Sequence, residues 1–248
     1  MSAPLLELRE VGKAYARSGK GPERAVTGVN LRIQAGEAWG LVGPSGAGKS
    51  TLARLALGLE DCDQGRVLFQ GRDLVAMNRR DKRRLLTSMQ MVWQDPTVYL
   101  NPFASALVSI AEPLEAFGLC SRQQARRRAQ ELMALVGLYP GLAGRKPGQL
   151  SGGQCQRVAL ARALSLEPSL LICDEALVNL DLVQQVRILE LLGRLRRELE
   201  LSLLFISHDP TLVRRLCTHL AIMEQGRLVE RRALHPPAPR PPSVHGRE

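Results

Sequence analysis

The stretch Gly43-Pro44-Ser45-Gly46-Ala47-Gly48-Lys49-Ser50 constrains this chain more than any other part of it. It is a complete G-x-x-x-x-G-K-[ST] run that follows the apolar "AWGLV" and opens the helical pattern "KSTLARLALGL". A strand, a glycine-rich turn and a helix in that order aim backbone N–H groups and the positive end of a helix at one point, which suits a phosphate. The glycines let the loop curl around a β-phosphate, and Lys49 reaches the β and γ oxygens. Ser50, with Thr51 beside it in the first turn, is placed to hold Mg²⁺. A chance glycine-rich turn would lack the flanking strand and helix, so the stretch predicts binding of a nucleoside triphosphate.

The rest of the chain is organised around that unit. Strand-like runs "LLELREV" and "AVTGVNLRI" precede the loop, and "GRVLFQG" follows the helix. From about Asp95 to Gly148 the pattern turns helical, broken by "NP" at 101–102, "EP" at 112–113 and "YPG" at 139–141. Strand and helix then alternate again through "SLLICDEA", "RILELLGRLRREL", "LSLLFISHD" and "LAIMEQGRLVE". This is an α/β core with a helical insertion in its middle. Residues 1–235 read as one nucleotide-binding domain, with the helical part at about 95–160. Residues 236–248 hold five prolines and no apolar periodicity, so they read as a disordered tail.

No apolar run approaches the ~20 residues that a membrane span needs, and "MSAPLLELRE" lacks the features of a signal peptide. A cytoplasmic location is therefore expected. The five cysteines are scattered with no C-x-x-C pair, which argues against disulfides and metal ligation. A formal net charge of +10 admits nucleic acid, an anionic membrane surface or phosphorylated ligands as partners. Arginine clusters "RRDKRR" (79–84) and "RRR" (126–128) raise the nucleic-acid possibility. The second is better read as the solvated side of a helix, because Ser121 and Gln124 form a capping box ahead of apolar Ala125, Ala129, Leu132, Met133 and Val136. With 4% aromatic residues there is little material for stacking on bases.

Three further features bear on chemistry. "SLLICDEA" is an apolar strand ending in adjacent carboxylates, where Asp174 would hold Mg²⁺ and Glu175 would deprotonate an attacking water. His208 follows another apolar strand, at a place from which it could hydrogen-bond a γ-phosphate, and Gln94 lies in "MVWQDP". "QLSGGQCQRVALARAL" is a second serine-and-glycine helix start. Ser151 is its N-cap, and Gln154 completes the capping box, so the N–H groups of Gly152 and Gly153 are offered to an anion.

In this order "GPSGAGKS", Gln94, "LSGGQ", "LLICDEA" and His208 resemble the ATP-binding subunits of ABC transporters, over about residues 5–230. The resemblance implies a P-loop NTPase fold of the ABC ATPase type, with an antiparallel β subdomain and the helical subdomain inserted in the core. It implies ATP and Mg²⁺ as cofactors, Glu175 as general base, His208 on the γ-phosphate and Gln94 as a sensor of Mg²⁺ and of the membrane partner. Tyr15 in "VGKAYA" looks like the aromatic residue that stacks on adenine. Two such domains meet head to tail in this family, so Ser151, Gly152, Gly153 and Gln154 of one chain would close over ATP held by the other. The expected partners are a second ATP-binding subunit, identical or paralogous, two permease subunits and an extracytoplasmic solute-binding protein. The chain would sit on the cytoplasmic face of the inner membrane and bind no nucleic acid.

"QDPTVYLNP" followed by "AEPL" is similar to the peptide and nickel importer branch, and "DEALVNLDLVQQ" looks most like the nickel-import subunits. Val178 stands where that stretch usually has serine. The implied cargo is nickel or a related metal or metallophore. An oligopeptide importer is the alternative, with a non-transport ABC ATPase acting on nucleic acid, or a GTPase or kinase, further off.

Overall fold

The computed structural model describes residues 3–17 and 20–234, so the expected tail at 236–248 lies outside the described residues. Two sheets form the frame. The smaller is antiparallel, in the order β2-β1-β4-β5, from β1 (Leu6–Arg17), β2 (Lys20–Ile33), β4 (Gln64–Phe69) and β5 (Arg72–Asp73). The larger has the order β10-β9-β3-β8-β7-β6. Its strands β3 (Ala38–Val42), β6 (Met89–Val92), β7 (Leu170–Asp174), β8 (Ser202–Ile206) and β9 (His219–Glu224) run parallel, and β10 (Arg227–Ala233) returns antiparallel along the edge.

The apolar runs are continuous because the parallel strands are buried on both faces. Leu170, Ile172, Leu204 and Ile206 point to the antiparallel sheet, where they share one core with Leu6, Leu8, Leu31, Ile33 and Phe69. Their neighbours Leu171, Cys173, Leu203 and Phe205 point the other way, into a second core built with helices. The period of two in a strand thus divides one apolar sequence between two layers. Helix α1 (Lys49–Ala56) lies in the first core through Leu52, Leu55 and Ala56.

Between β6 and β7 the chain makes α3 (Pro96–Tyr99), α4 (Ala106–Ala116), α5 (Arg122–Leu135) and α6 (Gly152–Leu164). Helices α7 (Leu182–Glu198) and α8 (Pro210–Leu216) follow β7 and β8. A short helix α2 (Arg79–Leu85), capped by Asn78, lies in the basic stretch before β6. The capping boxes expected at Ser121 and at Ser151 are both present.

One expectation fails. "EP" at 112–113 does not break the helical pattern, because α4 runs through Pro113. Proline at that position removes the N–H that would bond the carbonyl of Ser109. Arg162 on α6 takes its place, donating to the Ser109 carbonyl at 2.6 Å and pairing with Glu112 at 2.6 Å. A neighbouring helix thus supplies the donor that the proline lacks.

Candidate nucleotide site

The carboxyl ends of the parallel strands lie along one edge of the large sheet, and the chain places its chemistry there. The glycine-rich loop leaves β3, Asp174 ends β7, His208 follows β8 and Gln94 follows β6. Backbone bonds tie these ends together, with the Ser207 N–H donating to the Leu41 carbonyl at 3.1 Å and Glu175 to Ile206 at 3.0 Å. Ligands of open α/β sheets bind at this edge because the loops diverge there.

The loop is held by the β9–β10 hairpin. Gln225 and Gly226 form its two-residue turn, both at positive φ (45° and 79°), which matches the twist of the flanking strands. The Gly226 N–H donates to the Ala47 carbonyl at 3.0 Å, and the Thr27 N–H donates to the Gly226 carbonyl at 2.8 Å. A Cβ on Gly43 would stand 2.1 Å from the Met223 carbonyl oxygen, so any other residue would push the loop off the hairpin. Gly48 is fixed twice. Its φ is +100°, and a Cβ there would meet the Ala25 carbonyl oxygen at 2.1 Å.

Lys49 is buried and folds back over the loop. Its ammonium donates to the carbonyls of Gly43 and Pro44, both at 2.9 Å, and lies 3.7 Å from a carboxylate oxygen of Glu175. A single cavity of about 450 Å³ is lined by Ser45, Gly46, Gly48, Lys49, Ser50 and Thr51, and also by Gln94 and Glu175. Glu23, Arg24, Ala25, Gln225 and Gly226 complete its wall. These five were missed by sequence reasoning. The Gln-Gly turn of the hairpin was a signal for two of them, while nothing in "PERAV" marks Glu23, Arg24 and Ala25.

Asp174 is not part of that wall but ends β7 next to Glu175, which is. It is 6% exposed, and its Oδ1 has no hydrogen-bond partner among the described residues. Burial pushes its carboxyl above the ordinary carboxylate range, the Ser50 hydroxyl opposes that, and the charge of Glu175 adds to it. A buried carboxylate oxygen without a donor, beside a hydroxyl, fits a hard divalent cation such as Mg²⁺. Ser50 and Asp174 are therefore the groups that would hold it. Glu175 sits in the left-handed region at φ 48°, a conformation that costs a non-glycine residue roughly 1–3 kcal/mol. That twist brings its carboxylate to Lys49 rather than along the strand.

The remaining candidates are placed differently. His208 is exposed and lies outside the 450 Å³ cavity, in a smaller one of about 90 Å³ that it shares with Glu175, Val178 and Gln185. Tyr15 also lies outside the cavity wall. Its hydroxyl donates to Glu60, which in turn takes the Arg54 guanidinium at 2.5 Å, and Lys13 sits 5.9 Å from its ring centre. Its cross-strand partner Glu23, by contrast, is in the cavity wall.

Ser151, Gly152, Gly153 and Gln154 form the first turn of α6, apart from the loop. Ser151 Oγ accepts from the Gln154 N–H at 3.3 Å, and Gln154 Oε1 accepts from the Ser151 N–H at 2.9 Å. The N–H groups of Gly152 and Gly153 have no partner within the helix. Gly153 is pressed by α7, since a Cβ there would lie 2.9 Å from Gln184 Oε1. Leu182 and Val183, at the adjoining start of α7, are 78% and 60% exposed, so the two helix starts present one partly apolar surface.

The family model for "ABC transporter" matches residues 26–178. The chain belongs to the ABC transporter family. Among the relatives of this ABC chain, the oligopeptide transport ATP-binding protein OppF of Salmonella typhimurium is 45% identical over 208 residues. That match covers 84% of the chain and 62% of OppF, so the chain spans less than two thirds of that relative. The nickel import ATP-binding protein NikE of Shigella dysenteriae is 40% identical over 234 residues, covering 93% of the chain and 87% of NikE. A dimeric ATP-binding cassette solved in a post-hydrolysis state with ADP and Pi superposes with a TM-score of 0.83 at 28% identity, over 93% of this chain and 99% of that one. The match covers both sheets and the helical insertion, so the ABC ATPase fold expected from the motifs is the fold present. No helix among the described residues is long and apolar enough to cross a membrane.

Proposed function

We propose that the chain binds and hydrolyses ATP to drive an importer, working as a head-to-tail pair on two permease subunits. One observation carries this reading. Lys49, Ser50, Gln94 and Glu175 wall one cavity, with orphaned Asp174 next to Glu175, while the Ser151–Gln154 helix start, which in this reading serves the nucleotide of a second chain, is not part of that wall. ATP phosphates would replace the Gly43 and Pro44 carbonyls as acceptors of Lys49 and draw it from Glu175. Glu175, released, takes the proton of the attacking water. Bound Mg²⁺ would neutralise charge on the β and γ oxygens. Gln94 joins the cavity to the helical insertion that begins at α3, which gives the nucleotide state a path to the permease. His208 and Tyr15 come to the nucleotide, in this reading, only when ATP is bound and the pair has closed. A solute-binding protein outside the membrane would deliver cargo, and the pair would sit on the inner face of the membrane.

For cargo we propose nickel or a related metal or metallophore, supported by the match to NikE, which takes in 87% of that protein, and by "NLDLVQQ". The higher identity to OppF favours the second reading, short peptides. Membrane vesicles carrying the permeases encoded beside this chain would decide it. ATP-dependent uptake of radioactive nickel that an excess of di- and oligopeptides fails to suppress supports the first. Peptide uptake with no nickel uptake replaces it, and no ATP-dependent uptake of either removes the importer reading.

A further inference from the structure

The basic stretch at 79–84 takes no part in the nucleotide site. It lines a separate concavity of about 1060 Å³ with the end of α4. Two of its cations are engaged. Lys82 pairs with Asp61 at 3.3 Å, and Arg83 donates to the Ala116 carbonyl at 3.1 Å with its guanidinium 5.0 Å from the Phe117 ring centre. Arg79, Arg80 and Arg84 line the same concavity and are exposed, and their guanidinium groups have no hydrogen-bond or ion-pair partner among the described residues. The one carboxylate in its lining is Glu115.

We propose that this concavity is a binding site for anionic phospholipid headgroups, a contact with the bilayer that does not require the permease. Clustered guanidinium groups beside apolar wall suit a phosphodiester at a membrane surface, where the phosphate needs donors and the glycerol backbone needs apolar contact. Leu86 and Phe117 supply that apolar wall. They are shared with a neighbouring apolar groove of about 430 Å³, lined by Leu57, Met91 and Trp93, next to Gln94. If the helical insertion beside Gln94 faces the permease, as the importer reading implies, the arginines next to this groove lie on the side toward the membrane. Nucleic acid is disfavoured because Phe117, the one aromatic ring in the concavity, is already covered by Arg83 and gives no platform for a base.

The test uses the full chain without permeases, sedimented with vesicles of phosphatidylcholine alone or with phosphatidylglycerol added. Binding is expected to the anionic vesicles, to fall steeply between low and high salt, and to drop roughly tenfold or more in Arg79→Gln/Arg80→Gln/Arg84→Gln. The charge-preserving Arg79→Lys/Arg80→Lys/Arg84→Lys should retain most of it. A control with the same charge removed elsewhere, Arg126→Gln/Arg127→Gln/Arg128→Gln, should lose far less. Equal losses in the two glutamine variants would reduce the effect to net charge and overturn the site. So would equal binding to neutral vesicles, or displacement from the vesicles by equimolar oligoglutamate or duplex DNA. A single Arg84→Gln variant covers a triple variant that fails to fold, with a several-fold loss expected and none overturning the proposal. Because no permease or ATP is present, failure here leaves the importer reading standing, and failure of cargo uptake leaves vesicle binding untouched.

Discussion

In the proposed mechanism Glu175 has two tasks that can be separated by a single substitution. Its carboxylate sits 3.7 Å from Lys49, and during turnover it would accept a proton from water. Glu175→Gln removes the charge and the base but keeps the shape. ATP affinity should be unchanged or higher, since Lys49 loses its competing anion, while turnover should fall about 10²–10⁴-fold. Equilibrium binding of a fluorescent ATP analogue and phosphate release measure the two halves, and near-normal turnover would take the base assignment from Glu175. Asp174 next door gives a prediction in pH. Its carboxyl titrates above the ordinary value, so the folded chain holds a proton that the unfolded chain has lost, and stability falls as pH rises through that window. Asp174→Asn should therefore raise the melting temperature by a few degrees at pH 7 in EDTA, with the gain shrinking toward pH 4, and should abolish stabilisation by Mg²⁺-ATP. A lower melting temperature at pH 7 would mean that the carboxylate is satisfied by something other than a metal. Motif residues were legible because their chemistry requires fixed spacing, as with Lys49 and Ser50. Arg24 was not, because its place in the cavity wall depends on the register of β1 against β2.

At the scale of elements, period and punctuation carried the large sheet, since strands buried on both faces must be apolar throughout. They failed at Pro113. A proline inside a helical pattern reads as a break, and whether the freed carbonyl finds another donor depends on a residue 53 positions away. Arg162 is that donor, so its loss should be felt at Ser109. Arg162→Met should destabilise the chain by about 1–3 kcal/mol, the cost of a buried carbonyl left without a partner, with the pairing to Glu112 lost as well. Pro113→Ala restores the N–H. In the double variant Arg162→Met/Pro113→Ala much of the loss should return, because the helix can then satisfy its own carbonyl. Urea unfolding of the four proteins gives the coupling, and strict additivity would show that Arg162 acts through packing alone. The β9–β10 hairpin is a further case. Its Gln225-Gly226 turn is a local signal, but its bonds to Ala47 and Thr27, which hold the phosphate loop in shape, follow from topology.

At the scale of the whole molecule, the proposed pairing rests on two features of one chain that do not line a common cavity. The phosphate loop opens on one cavity, and the first turn of α6 stands apart beside exposed Leu182 and Val183. If those halves belong to different copies, lesions in them should complement. Ser151→Arg should leave ATP binding to the isolated chain intact, since Lys49 and its loop are untouched. It should stop closure and hydrolysis, because a bulky cation would crowd the helix end and replace the capping hydroxyl. Lys49→Ala should weaken ATP binding itself. Each variant alone is then inactive, with both of its composite sites damaged. Mixed together, they form some pairs in which one site joins the intact loop of the Ser151 variant to the intact helix start of the Lys49 variant, while the other site carries both lesions. Hydrolysis should reappear on mixing, reach its maximum near equal amounts, and vanish when either partner is omitted. Its yield is limited to the mixed fraction and to whatever one site achieves alone. If Ser151→Arg instead abolishes ATP binding by the monomer, the helix start serves its own chain's nucleotide. No arrangement of two copies would then be needed to complete the site.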